Sequence, residues 1–156
     1  MVTLPDRRGY PFRPDVPSGS GGDGVVLRMV TVDHTPSSAA EARRELGADL
    51  VEWGVPAAVV DDAELVVSEL IGNAVRYARP LPGNVLRVAW AVQPGCLVLK
   101  VTDGGSSQAP HFRDAGPSDV RGRGLAIVDA VARKWGVERY QNGVGPVSTV
   151  WAELAV

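Results

Sequence analysis

The chain is short of several things that would fix its class at once. It holds one cysteine in 156 residues, Cys96, which excludes an internal disulfide and leaves no companion thiols for a zinc site. Cys96 opens the apolar run Cys-Leu-Val-Leu-Lys-Val and reads as a packed thiol on a buried strand. Lysine is scarce: of 16 basic residues only Lys100 and Lys134 are lysines, and no basic cluster forms. With a net charge of −2, general nucleic-acid affinity is excluded. Apolar residues make up 45% of the chain, yet no run approaches the ~20 needed to span a bilayer. No charged-then-apolar leader opens the sequence, so a cytoplasmic protein is expected. No internal repeat is visible, and the length suits one domain with a real core.

Proline and glycine, by contrast, are plentiful and unevenly spread. Residues 1–24 carry Pro5, Pro11, Pro14 and Pro17, then Ser-Gly-Ser-Gly-Gly-Asp-Gly, with Tyr10 and Phe12 as the only aromatics. They read as a disordered or loosely docked tail before a domain at 25–156. Val25–Val32 reads as a strand and 36–53 as a helix, with Thr35 placed to cap it and Gly54 to end it. A second helix runs from Pro56 to about Ala78, and two strands over 85–92 and 96–102 flank a hairpin at Gln93-Pro94-Gly95. Residues 104–121 lack periodicity and form a long loop, of the kind that often serves as a lid. A third helix over 124–135 and strands over 137–140 and 147–154, turned at Asn142-Gly143, complete the chain. The order β-α-α-β-β-loop-α-β-β has too few βαβ crossovers for a doubly wound fold. It suits an α+β, two-layer sandwich: a mostly antiparallel mixed sheet covered on one face by three helices.

Four features carry chemistry. On the second helix Glu69 and Asn73 stand four residues apart, hence on one face a turn apart. A carboxylate can take a proton, and an amide oxygen can ligate a hard cation such as Mg²⁺. Taken alone, such a pair is better explained as an ordinary solvated face. Val101-Thr102-Asp103-Gly104-Gly105 ends a strand in a carboxylate able to accept a hydrogen bond from an exocyclic amine. Arg121-Gly122-Arg123-Gly124 opens the third helix, where side-chain-free residues let phosphate oxygens reach backbone N–H groups. It is neither a P-loop nor a Rossmann fingerprint. Thr149 places a hydroxyl among apolar neighbours on the last strand. His34 and His111 read as ordinary surface residues.

In this order and spacing the four elements resemble the ATP-binding domain of histidine kinases, Hsp90, type II topoisomerases and MutL, the Bergerat or GHKL fold. Within it, Ala42-Arg43-Arg44, Trp53-Gly54, Ser68-Glu69-Leu70, Asn73-Ala74-Val75-Arg76, Gly122 to Val128 and Trp135-Gly136 are similar to the stand-alone anti-sigma-factor serine/threonine kinases of actinobacteria. The resemblance covers residues 25–156. It implies ATP and Mg²⁺ as cofactors, Asn73 as the metal ligand, Glu69 as general base, and Asp103 with Gly105 at adenine. It also implies Gly122 and Gly124 flanking the phosphates, Thr149 near adenine, and a lid arginine on phosphate from among Arg113, Arg121 and Arg123. A sigma factor and an anti-anti-sigma (STAS-type) antagonist are the implied partners, and a homodimer is in keeping with the relatives. The sequence departs from the pattern at Tyr77, where His is common, at Gly72, where Thr is frequent, and at Ser107, which replaces a glycine. A non-catalytic ATP-sensing module of the same fold is the alternative.

Overall fold

The computed structural model describes residues 24–106 and 120–156. Residues 1–23 and 107–119, with Ser107, His111 and Arg113, lie outside the described residues, as do the side chains of 120–124 and 142. In chain order the elements are β1 (Val26–Asp33), α1 (Ser38–Glu52), α2 (Ala57–Tyr77), β2 (Val85–Gln93) and β3 (Cys96–Asp103), then α3 (Val120–Val131), β4 (Lys134–Asn142) and β5 (Gly145–Ala155). The strands form one sheet in the order β1-β2-β3-β5-β4. The sheet expected to be mostly antiparallel is antiparallel at all four pairings.

The alternation of side chains along each strand decides which residues meet the helices. Val88 and Trp90 on β2, Leu97, Leu99 and Val101 on β3, and Ala152 and Leu154 on β5 share one core with Leu46 and Leu50 of α1 and Val67, Leu70 and Ile71 of α2. Burying each large apolar side chain contributes about 1.5–3 kcal/mol, so this face is the main source of stability. The opposite face carries a small second cluster of Ala91, Cys96 and Val98 with Leu27. Cys96 is buried there, and burial raises its thiol pKa, as suits a packed rather than a reactive cysteine.

Local chemistry explains the joints. Gly54, at φ +76°, follows the last residues of α1; its N–H donates to the Val51 carbonyl, and that of Val55 donates to Leu50. This is the Schellman closure that the glycine predicts. Gln93 pairs with Cys96, leaving Pro94 and Gly95 (φ +74°) as the two turn residues. The start of α1 differs from expectation. The helix begins at Ser38, no side chain caps it, and the Thr35 hydroxyl instead meets the hydroxyls of Ser37 and Ser38. The tip of the last hairpin also shifts: Asn142 pairs with Gly145, so Gly143 and Val144 make the turn.

The largest shift is at α3. It begins at Val120 and ends at Val131, four residues earlier than the periodicity suggests, and Trp135 lies on β4. Arg121 to Gly124 therefore lie inside the first turns of the helix instead of preceding it. Trp135 misleads the sequence reading because it packs on the core from a strand, adding an apolar residue at a spacing a helix would also give.

Candidate functional site

The site is built where α2 ends against the end of β3. Just past α2, the Arg79 N–H donates to the Gly105 carbonyl, and the Gly104 N–H donates to the Arg79 carbonyl. These two bonds clamp the helix end to the turn after Asp103. A side chain at 104 would collide with the Pro80 carbonyl oxygen, so only glycine lets the two backbones meet. His34, expected at the surface, is half-buried and closes the same corner. Its Nε2–H donates to the carbonyls of Ala74 (3.1 Å) and Ala78 (3.0 Å), capping the C-terminus of α2.

Asp103 is 4% exposed. Its Oδ1 accepts from the Gly105 N–H at 2.7 Å, and Oδ2 takes no hydrogen bond among the described residues. Burial pushes its carboxyl up to about 6, opposed first by the Gly105 hydrogen bond and then by the positive fields of His34 and Arg139. A carboxylate at a strand end with one oxygen left without a hydrogen bond among the described residues can take a donor arriving from outside the protein, such as a base amine.

Glu69 and Asn73 are half-buried on α2, with Leu70, Ile71 and Ala74 beside them in the core. No side-chain hydrogen bond restrains either among the described residues. Asn73 lies six residues before Arg79, roughly 9 Å along the helix from the clamp, with Glu69 about 6 Å further. α3 packs on α2, and since its chain feeds into β4 at the far end of the sheet, its N-terminus points back toward the Asp103 end. The N–H groups of its first turn, Gly122 among them, are thus at the same end, with no acidic residue in that turn. Among the described residues no group of three or more His, Cys, Asp or Glu could hold a metal alone. Asn73 would share a Mg²⁺ with phosphate oxygens and water, which is the usual habit of that ion.

Thr149 is the expected site residue that the geometry sets apart. It pairs with Thr102, their hydroxyls are 2.8 Å apart, and both lie on the sheet face away from the helices. The residue opposite Asp103 is Ser148, 8% exposed and on the helix-facing side. Register thus sets Ser148, and not Thr149, directly across from Asp103. A cavity of about 300 Å³ lies behind Gly104, between Pro80–Pro82 and Val144–Val147. Arg79 and Gly104 of the clamp line it, while Glu69, Asn73 and Asp103 do not.

A family model, the histidine kinase-like ATPase domain, matches residues 32–151. The chain belongs to that family. A histidine kinase-like ATPase domain implies ATP binding. The structure resembles that of the RsbU and RsbW domains of Rv1364c from Mycobacterium tuberculosis, with a TM-score of 0.61 at 22% identity. The match covers 82% of this chain and 32% of that one, and at this identity it shows a shared fold. A comparison with curated proteins finds no match. No helix among the described residues is long and apolar enough to cross a membrane.

Proposed function

We propose that the protein is an ATP·Mg²⁺-dependent serine/threonine protein kinase of the anti-sigma type. It holds a sigma factor in one state and phosphorylates an anti-anti-sigma antagonist in another. The observation that carries the reading is the clamp at Arg79, which sets Asp103 beside the helix bearing Glu69 and Asn73. Similarity in fold to the RsbU and RsbW domains of Rv1364c supports the same reading.

Each residue then has one task. Asp103 accepts the amine of adenine through the oxygen that Gly105 leaves free. The hydroxyl of Ser148, opposite Asp103, is placed to hydrogen-bond at the base. Backbone N–H groups at the start of α3 receive phosphate oxygens. Mg²⁺, when bound through Asn73, neutralises charge on the phosphates. Glu69, half-buried on α2, accepts the proton of the attacking hydroxyl.

Phosphotransfer to a purified antagonist with labelled ATP·Mg²⁺ tests the reading. Glu69→Ala should lower the rate by about 10²-fold or more while ATP still binds. Asn73→Ala should abolish the Mg²⁺ dependence of binding. Transfer that survives Glu69→Ala unchanged would remove Glu69 from the chemistry. ATP binding with no phosphoprotein from any antagonist would favour the non-catalytic sensing module.

A further inference from the structure

Strand register assembles a row across three strands at the Asp103 end. Asp103 pairs with Ser148, and Ser148 pairs with Arg139 on β4. All three fall on the helix-facing side, as shown by Val101, Val150, Ala152 and Trp135, which precede or follow them at even spacing and pack on the core. Two strand spacings put the Arg139 backbone roughly 10 Å from that of Asp103, within reach of the field of a long guanidinium side chain. Arg139 is exposed and makes no ion pair among the described residues. We propose that Arg139 is a positioning residue for Asp103: across Ser148, its guanidinium holds the Asp103 carboxylate in the charged form that accepts a base amine. The role in nucleotide binding rests on the ATP reading above; the effect on Asp103 itself does not.

The surroundings leave Arg139 a distinct part. On β2 the neighbour of the row is Leu86, fully buried and uncharged. From α2 come Asn73 and Tyr77, and from the junction after β1 comes His34, whose Nε2–H is committed to carbonyls of α2. Arg79, in the clamp, is exposed, and α3 carries Arg121 and Arg123 in its first turns. Burial works against the charged carboxylate, and Gly105, His34 and Arg139 work for it. Of these, Arg139 is the one that strand register aligns with Asp103 across Ser148.

The test compares wild type, Arg139→Gln and Arg139→Lys. The Asp103 carboxyl is titrated by carbon NMR in the nucleotide-free protein, and ATP·Mg²⁺ affinity is measured by calorimetry from pH 5.5 to 8. Arg139→Gln should move the Asp103 midpoint up by roughly half a unit, and Arg139→Lys should largely restore it. ATP affinity relative to wild type should be near unity at pH 8 and fall about two- to threefold below pH 6. The ratio removes the ligand's own titration, which is common to all three proteins. An unmoved Asp103 midpoint in Arg139→Gln overturns the proposal. So does a loss of affinity equal at every pH, which would mean direct contact with the nucleotide. If wild type binds no ATP at any pH, the ATP reading fails, and the carboxyl titration still decides the role of Arg139.

Discussion

Asp103 shows at the scale of one residue how a binding group can oppose folding. Its folded pKa, about 6, lies above the ordinary carboxylate value of 3.8. A raised pKa means that the stability tied to this group is fully present below the unfolded value and is lost as pH rises through about 6. At neutral pH the nucleotide-free protein therefore carries a buried charge at a cost. Asp103→Asn removes that charge and keeps an oxygen for the Gly105 N–H. The variant should be more stable than wild type by about 1–3 kcal/mol at pH 8, with the advantage vanishing toward pH 4. Its ATP affinity should fall at least tenfold, since an amide cannot replace the carboxylate as a charged acceptor. Denaturant melts at several pH values and calorimetry check both halves. A variant less stable at pH 8 would mean that the carboxylate is better solvated than its burial implies.

At the scale of elements, two glycines look alike in sequence and differ in consequence. A Cβ at Gly47 on α1 would meet the far end of the Glu64 side chain on α2, which can swing away. A Cβ at Gly104 would meet the Pro80 backbone, which is held by the Arg79 clamp. Gly47→Ala should change stability by no more than about 1 kcal/mol, helped by the helix propensity of alanine. Gly104→Ala should cost about 2–4 kcal/mol and weaken ATP binding, because the turn after Asp103 must move. Thermal melts with and without ATP·Mg²⁺ would separate the two. The elements themselves were largely legible: periodicity and turn residues placed all eight, because each strand and helix has one strongly apolar face. The candidate site could be proposed from sequence where a motif is local, as at Glu69 and Asn73 or Asp103 to Gly105. It was not legible where it depends on register. Ser148 and Arg139 join Asp103 only through strand pairing, and His34 reaches the site only because β1 ends beside the last turn of α2.

At the scale of the whole molecule, one partly buried network ties layers together. Asp49 on α1 accepts from Arg28 on β1 at 2.8 Å through Oδ1 and from the Trp90 indole on β2 at 2.8 Å through Oδ2. Arg28 also pairs with Glu45 and lies over the Trp90 ring, 5.9 Å from its centre. Asp49→Ala leaves the fully buried Trp90 N–H without its acceptor and should cost about 2–4 kcal/mol in denaturant melts, with ATP affinity nearly unchanged. A drop in affinity as large as the drop in stability would mean that this end of the sheet and the nucleotide end are coupled. The strand order has a practical consequence too. β5, the last strand in sequence, lies between β3 and β4, and its Glu153 is bonded to Arg133 where α3 gives way to β4. β1, the first strand, is an edge. An engineer attaching a fluorophore or tether should choose the β1 side, where added chain leaves from the margin of the sheet. A stop codon placed before Glu153 removes pairs from two ladders at once, and its product should be recovered as insoluble or protease-sensitive protein, not as a slightly shorter domain.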